Sequence, residues 1–214
     1  MQKKELIGPL YREGYTYNTE AIQVYDHDWP TLAEGVAVPH GLYDVTKNLG
    51  YVQIGTSRDT SEFACDSIYY WWTEHGKKAY AEATAILLLC DGGGSNGSRF
   101  YIFKQDLQQL ANDLNIEIRI AHYPPYTSKY NPIEHRLFPH LSRVCRGVIF
   151  ESVEQIQALM AKASTKTGLK VFSTIIDAVY ETGRKASDEF KQQMPIIFDD
   201  FLPNWNYVAR PQQS

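Results

Sequence analysis

Two acidic residues, Asp91 and Glu134, stand where the chain can hold a carboxylate in one place. Asp91 ends an apolar run over residues 83–90 and precedes three glycines, and Glu134 lies in an Asn-Pro-Ile-Glu sequence directly after a Tyr-Pro-Pro-Tyr loop. Proline fixes its own backbone and restricts the residue before it, so this loop is stiff. Carboxylates, water and substrate phosphates are the ligands that Mg²⁺ prefers. If Asp91 and Glu134 face each other, they can therefore hold metal ions of the kind that assist phosphodiester chemistry.

Each acid also has a purely structural explanation. An Asp before Gly92, Gly93 and Gly94 can start a turn, because its side chain accepts hydrogen bonds from nearby backbone amides. Glu134 falls at the third position of a helix that begins after Asn131, and a Glu there can bond back to the amide of the capping residue. Spacing alone leaves the structural and the catalytic interpretations open.

The pattern around Asp91 predicts a strand, a helix and a second strand. The apolar run before Asp91 predicts a central strand buried on both faces. Phe103, Leu107, Leu110 and Leu114 follow at helical spacing, and residues 116–121 then alternate as a fresh strand. This order predicts a right-handed parallel crossover. Asp91 would then lie at the carboxyl end of a strand, where open α/β sheets expose ligand-binding groups.

The remaining pattern completes one mixed α/β domain with a C-terminal appendage from about residue 151. Periodicity and capping predict a short strand within 5–12, a loop over 14–35, hairpin strands over 38–45 and 50–55, and helices beginning at Asp59, Pro132 and Ser152. Gly76 is predicted to end the first of these helices.

Composition narrows the class of protein. The net charge of -4 argues against a chain that binds nucleic acid unaided, because phosphate contacts need Lys and Arg. Cys65, Cys90 and Cys145 are far apart, so neither a disulfide framework nor a cysteine metal site is indicated. The chain has no apolar run of about 18 residues and no apolar signal-peptide core, which predicts a cytoplasmic protein with no membrane partner.

Two long segments carry a family resemblance. Asp91-Gly-Gly-Gly-Ser-Asn-Gly-Ser-Arg99 and Tyr123-Pro-Pro-Tyr-Thr-Ser-Lys-Tyr-Asn-Pro-Ile-Glu-His-Arg-Leu-Phe138 closely resemble the ISAzo-type insertion-sequence transposases. The resemblance continues through shorter segments at 27–35, 41–45, 71–72, 165–171 and 205–207, so it covers nearly the whole chain. The stretch that ends at Glu134 also looks like the segment of the broader mariner-like group in which the last acid lies.

This resemblance implies a DDE transposase with a ribonuclease-H-like fold, a mixed sheet flanked by helices with a C-terminal helical appendage. Residues 1–150 would form the catalytic domain, and residues 151–214 the appendage packed on it. The resemblance makes Asp91 the second catalytic acid and Glu134 the third, both of them metal ligands. It implies Mg²⁺ or Mn²⁺ as cofactor in a two-metal site, transposon-end DNA as partner, and a possible homodimer.

By the same resemblance, the first acid lies just before Met1, and a DNA-binding helical region lies further upstream. We therefore expect an N-terminally truncated transposase whose catalytic-domain portion is inactive or nearly so alone. Asp44, in the second predicted strand, is the candidate substitute for the first acid, although the family pattern aligns it with a non-catalytic position.

Five residues are candidates for contacts with the DNA backbone. They are Asn96, Arg99, Lys129, His135 and Arg136. For Lys129 and Arg136, solvation at the surface is an equally good explanation, and His135 is otherwise a polar helix residue.

Two other classes of function remain open. The first alternative is a non-catalytic or domesticated interaction module that keeps a ribonuclease-H-like fold. The second is a nuclease with a rearranged set of acids. The second alternative requires Asp44 or another acid to complete the site.

Overall fold

The computed structural model describes residues 4–26, 29–91, 100–124 and 126–212. The strands in these ranges are β1 (Glu5–Ile7), β2 (Gly35–Asp44), β3 (Leu49–Gly55), β4 (Ala85–Asp91), β5 (Glu117–Tyr123), β6 (Lys170–Ile176), β7 (Ile197–Phe198) and β8 (Asn206–Ala209). The α-helices are α1 (Ser61–Trp71), α2 (Lys77–Ala79), α3 (Tyr101–Leu114), α4 (Pro132–Arg136), α5 (Phe138–Cys145), α6 (Val153–Met160) and α7 (Asp188–Gln193). Two mixed sheets flanked by helices confirm the expected mixed α/β, ribonuclease-H-like class.

The chain divides into two compact units. The Asp91 unit comprises Asp59–Asn131 and the residues from Tyr180 onward, and the Glu134 unit comprises the residues up to Arg58 and Pro132–Val179. The residues after 151 contribute β6 to the sheet of the Glu134 unit, and β7 and β8 to the sheet of the Asp91 unit. The division into a catalytic domain of residues 1–150 and an appendage of residues 151–214 packed on it stays a prediction.

The Asp91 unit contains a four-stranded sheet in the order β4-β5-β8-β7. β4 and β5 are parallel and joined through α3, which confirms the predicted parallel strand, helix and strand. β8 pairs antiparallel with both β5 and β7. α3 packs on β5 and β8, and α1 packs on α3, so the side chains that these helices cover form the core of this unit.

The prediction that β4 is a central strand buried on both faces is wrong. β4 lies at the edge of its sheet, with no second strand neighbour among the described residues. Ile86 is buried, whereas the side chains of Leu87 and Leu89 are 61% and 42% exposed. Successive side chains of a strand point to opposite faces, so one face of β4 is covered and the other is open. A continuous apolar run shows that a segment is rich in apolar residues, but it does not show which faces of the strand are covered.

The helix after Thr60 differs from its prediction at both ends. The Thr60 hydroxyl, rather than the Asp59 side chain, accepts the hydrogen bond from the Phe63 amide, at 3.1 Å. Gly76 does not end the helix, because helical backbone continues through a π-helical turn at Trp72–Gly76 into α2. A Cβ on Gly76 would lie 2.5 Å from the Trp72 ring, so the glycine makes room for the indole.

The Glu134 unit contains the second sheet, in the order β1-β2-β3-β6. β2 and β3 form the predicted antiparallel hairpin, and β6 pairs parallel with β3. α6 begins as predicted, because the Ser152 hydroxyl accepts from the Gln155 amide at 3.2 Å. Apolar side chains of the sheet, of α5 and α6, and of the segments that flank α5 form one hydrophobic cluster, which includes Val52, Ile54, Leu137, Leu141, Cys145, Phe150, Ile156 and Met160.

Candidate active site

Asp91 is the last residue of β4, which is the strand end that the sequence predicts. Its register partner on β5 is Tyr123, and Cys90 is paired in the same way with His122. Because β4 and β5 are parallel, their carboxyl ends lie side by side, and side chains from the ends of both strands gather there. Among the described residues, the end of β5 therefore supplies neighbours of Asp91.

His122 links the backbone of Asp91 to the C-terminal strand β8. Its imidazole is buried, with Nδ1 at 3.4 Å from the carbonyl oxygen of Asp91 and Nε2 at 2.9 Å from the Tyr207 hydroxyl. Burial lowers the pKa of His122, which favours the neutral ring. A carbonyl oxygen can only accept, so Nδ1 carries the proton and Nε2 accepts the hydrogen bond from Tyr207. Each nitrogen of His122 is thus engaged within the protein.

A buried lysine completes this cluster. Lys104, in the first turn of α3, places Nζ 5.0 Å from the ring centroid of Tyr207 and 5.9 Å from that of Phe198. Burial lowers the pKa of Lys104, because the charged ammonium is costly to take out of water. Burial also raises the pKa of the Tyr207 hydroxyl, which keeps it protonated as a donor to His122. Together, Lys104, His122 and Tyr207 join α3, β5 and β8 beside the end of β4.

Cys90 is a structural residue at this end of the sheet. Burial, followed by the charge of Asp91, raises its pKa to about 12. The thiol therefore stays protonated at neutral pH, and it is a poor nucleophile and a poor metal ligand.

The loop that leads toward Glu134 is held by local hydrogen bonds. The Thr127 hydroxyl donates to the carbonyl oxygen of Pro124 at 2.6 Å, and the Tyr130 amide donates to the carbonyl oxygen of Thr127 at 2.8 Å. Tyr126 adopts a positive φ of 64°. The chain leaves the Asp91 unit after Asn131, and Pro132 then begins α4.

Glu134 is half-buried in α4 of the Glu134 unit, and two glycines allow the helical segment to lie close to the sheet. A Cβ on Gly41 would lie 2.7 Å from the Phe138 ring, and a Cβ on Gly50 would lie 2.5 Å from Leu137 Cδ1. Real Cβ contacts are longer than this, so a side chain at either glycine would force Phe138 or Leu137 away. Leu137 directly follows α4 and is fully buried. The backbone that carries Glu134 is therefore fixed by apolar packing.

The other predicted site residues occupy different places. His135 and Arg136 are exposed on α4 with Glu134, while Lys129 is exposed in the Asp91 unit with Nζ 5.1 Å from the Tyr130 ring centroid. Asn96 and Arg99 lie outside the described residues. Within each unit, the structure thus groups Glu134 with His135 and Arg136, and it places Asp91 at the strand end beside His122.

Asp44 has a local structural role. It ends β2, and its Oδ1 accepts hydrogen bonds from the amides of Thr46 and Lys47, each at 2.9 Å. An Asp that accepts from the next amides in this way stabilises a tight turn, here the turn of the β2-β3 hairpin. This accounts for an acid at position 44 without catalysis.

Each of the two predicted acids, taken by itself, is a donor that suits a hard cation. Asp91 and Glu134 offer carboxylate oxygens, which Mg²⁺ and Mn²⁺ prefer. His122 is committed to Asp91 and Tyr207, so it does not compete as a nitrogen ligand. In the part of the chain that the structure describes, three or more His, Cys, Asp or Glu side chains do not come together as a metal-binding group. The chemistry of the two acids fits the ions that the resemblance implies.

The sequence pattern did not single out Lys104, His122 and Tyr207 as a group. One signal was present, since Ile118, Ile120 and His122 alternate along β5 and must face the same side. The partner of His122 lies on β8, and pairing between β5 and β8 is a tertiary contact that local periodicity does not reveal.

These features define a class of protein before any family is considered, namely a mixed α/β protein with one acid at a parallel strand end and another on a helix. The family model for the ISAZ013-type domain, described as the Rhodopirellula transposase DDE domain, matches residues 1–211. The chain belongs to this family of transposase DDE domains. No curated protein and no solved structure matches it. None of the helices in the described ranges is both long and apolar enough to cross a membrane.

Proposed function

We propose that this chain carries the second and third acids of a transposase catalytic site, Asp91 and Glu134, and acts in metal-dependent DNA cleavage and strand transfer. The observation that carries the proposal is the family match over residues 1–211, combined with an acid at the carboxyl end of β4. Strand ends of this kind expose ligand-binding groups in α/β sheets.

In this proposal, the two acids are metal ligands that the fold holds in place by different means. Asp91 is fixed through β4 and the His122 bond to its backbone, and Glu134 is fixed through the packing of Leu137. A divalent ion bound by such carboxylates supplies activation of the attacking oxygen and stabilisation of the leaving oxygen. Lys129, His135 and Arg136 are exposed, and they would contact DNA phosphates.

The resemblance assigns three acids to the site, and Asp91 and Glu134 account for two of them. We therefore propose that the 214-residue polypeptide does not cleave DNA by itself. The hydrogen bonds that Asp44 accepts in its turn support a non-catalytic role for that residue, in keeping with the family pattern.

The test of the metal site is calorimetric titration of the polypeptide with Mn²⁺. We expect Asp91→Asn and Glu134→Gln each to weaken Mn²⁺ binding by about tenfold or more, because each removes a charged oxygen ligand. Asp44→Asn is the matched control, since it also removes one acidic charge, and it should leave the affinity unchanged. Binding that survives both site substitutions, or no binding at all, would contradict the proposal and favour a non-catalytic interaction module.

A cleavage assay on duplex DNA with Mn²⁺ tests the second part of the proposal. We expect no cleavage by the unmodified polypeptide. Robust cleavage that Asp91→Asn abolishes would overturn the claim that the site is incomplete while leaving Asp91 as a ligand. If Asp44→Asn also abolished that cleavage, the nuclease with a rearranged set of acids would be the better assignment.

A further inference from the structure

The segment between β5 and α4 presents two exposed tyrosines on a short turn. We call residues 124–130 the aromatic turn. The side chain of Tyr126 is 100% exposed, and that of Tyr130 is 66% exposed. A fully exposed ring adds nothing to the packing of a core, whereas its flat face can stack on a ligand. The aromatic turn is therefore a candidate binding surface.

Hydrogen bonds within the aromatic turn hold its backbone in a defined shape. The carbonyl oxygen of Pro124 accepts from the Thr127 hydroxyl at 2.6 Å and from the Thr127 amide at 3.3 Å. The Tyr130 amide donates to the carbonyl oxygen of Thr127 at 2.8 Å, and Ser128–Tyr130 forms a 3-10 turn. A backbone that is already ordered loses little conformational entropy on binding, so both rings are presented ready for a ligand.

Tyr126 occupies a backbone position that suits glycine. Its φ is 64°, in the left-handed region that residues with a bulky side chain rarely adopt. The bond from the Thr127 amide to Pro124 makes Tyr126 the third residue of a four-residue turn, where a positive φ favours glycine. Strained backbone is concentrated at functional sites. Packing does not explain a tyrosine there, because the ring is fully exposed, whereas binding through the ring does.

Charge and ring chemistry indicate what the aromatic turn binds. Residues 122–133 carry Lys129 and no acid, in a chain whose net charge is -4. Lys129 places Nζ 5.1 Å from the ring centroid of Tyr130. A cation beside an aromatic ring suits a ligand that joins a phosphate to a flat apolar group. A nucleotide with an unpaired base has both parts, whereas the bases of an intact duplex are already stacked on each other.

The aromatic turn belongs to the Asp91 unit and leaves the sheet at the strand end that carries Asp91. It begins directly after Tyr123, the register partner of Asp91. A nucleotide held by this turn would therefore be bound next to the carboxyl ends of β4 and β5, where open α/β sheets expose ligand-binding groups.

We propose that the aromatic turn binds an unpaired nucleotide of DNA, with the base stacked on Tyr126 and a phosphate beside Lys129. Tyr130 offers a second ring to a neighbouring base. The inference rests on the proposed function for DNA as the substrate, and it adds the form of that substrate, namely a strand whose bases are unpaired. Every base has a flat face, so the turn should bind such a strand with little preference for its sequence.

Fluorescence anisotropy of the full chain with a labelled strand of about fifteen thymidines tests the proposal. The assay is run at low salt, because one lysine gives only weak phosphate binding, and in EDTA. We expect the single strand to bind at least about fivefold more tightly than a duplex of the same length. Tyr126→Gly should weaken binding of the single strand by about fivefold or more, because it removes the stacking ring, whereas Tyr126→Phe keeps the ring and should bind like the unmodified chain.

Two further measurements separate stacking from a structural role. Tyr17→Gly is the matched control, because Tyr17 is also 100% exposed but lies in the loop between β1 and β2, and it should leave binding unchanged. The urea midpoint of Tyr126→Gly should not fall, because glycine adopts a positive φ without strain. A lower midpoint would mean that Tyr126 serves the fold rather than a ligand.

Three results would overturn the proposal. They are no binding of the single strand, equal binding of the duplex, and a single-strand affinity that Tyr126→Gly leaves unchanged. EDTA makes the assay independent of the metal site. A failure here would therefore leave Asp91 and Glu134 as proposed metal ligands, and a failure of the Mn²⁺ titration would leave this nucleotide site standing.

Discussion

The two units of this chain hold their acids by different physical means. In the Asp91 unit, buried polar groups surround the strand end, and His122 bonds both to the backbone of Asp91 and to Tyr207. In the Glu134 unit, the fully buried Leu137 directly follows the helix that carries Glu134 and belongs to an apolar cluster. One acid depends on a hydrogen-bond network and the other on steric fit.

Because the two acids are held by different means, the stability of the two units should respond differently to pH and to substitution. A buried polar network is vulnerable to the loss of one partner and to protonation, because an unsatisfied buried group is costly. An apolar cluster is indifferent to pH but responds to a change in side-chain volume. Substitutions in one unit should therefore behave unlike substitutions in the other.

The largest loss of stability should come from removing side-chain volume at Leu137, which directly follows the helix that carries Glu134. Leu137→Ala should lower the free energy of unfolding by about 2–5 kcal/mol, because it leaves a cavity in a closely packed cluster. Urea denaturation of the variant and the unmodified chain measures this loss.

Leu202→Ala is the control for this substitution, because Leu202 is the same residue type at an exposed position. It should cost less than about 1 kcal/mol. If Leu137→Ala were as mild as Leu202→Ala, steric packing would not be what holds the backbone of Glu134.

A smaller loss should follow from breaking a polar contact in the Asp91 unit. Arg184 donates to both carboxylate oxygens of Asp106, at 3.0 and 3.2 Å, and the Ser61 hydroxyl donates to Asp106 at 2.5 Å. Asp106→Asn removes the charge from this buried group, and because about a third of Arg184 is exposed, we expect a loss of about 1–3 kcal/mol in unfolding free energy.

The matched control is Asp188→Asn. Asp188 also forms an ion pair with a basic residue, Lys191 at 2.8 Å, but its side chain is 89% exposed. Surface ion pairs contribute little, so the control should lose no more than about 0.5 kcal/mol. Equal losses for the two variants in urea denaturation would show that burial of the Asp106 network does not matter.

Much of the fold could be predicted from the sequence, because the signals were local. The hairpin of β2 and β3, the parallel unit of β4, α3 and β5, and the start of α6 follow from alternation, helical spacing and capping residues. The short strands β7 and β8 have too few residues to show a period. The edge position of β4 depends on which strands pair, and local periodicity does not encode that pairing.

In the candidate site, too, local features could be predicted from the sequence and contacts between distant segments could not. Asp91 at a strand end and Glu134 at a helix start could be predicted, since each is defined by its immediate neighbours. The bond from Tyr207 to His122 could not, because β8 follows β5 only after a long stretch of chain. The local turn contacts of Asp44 also became visible only with the hairpin geometry.

The smallest effect, and the one that separates the two networks most directly, is a pH dependence. Burial lowers the pKa of His122. Below about pH 6.5, His122 therefore binds a proton in the unfolded chain more readily than in the folded chain. Stability rises with pH wherever the unfolded state binds more protons, so stability is lost as pH falls through this range, by at most about 1.4 kcal/mol per pH unit for one group. His122→Gln keeps a donor and an acceptor but cannot titrate, so unfolding free energies measured by urea between about pH 7.5 and 5.5 should vary less with pH.

His140→Gln is the control from the Glu134 unit. Burial and the charge of Arg143 also lower the pKa of His140, but this side chain is less buried than that of His122. Removing it should therefore flatten the pH dependence less, and the lowered pKa of His75 should leave part of the slope in both variants. If His140→Gln flattened the slope as much as His122→Gln, burial in the network at the end of β4 would not be the source of the pH dependence, and the contrast between a polar and an apolar unit would fail.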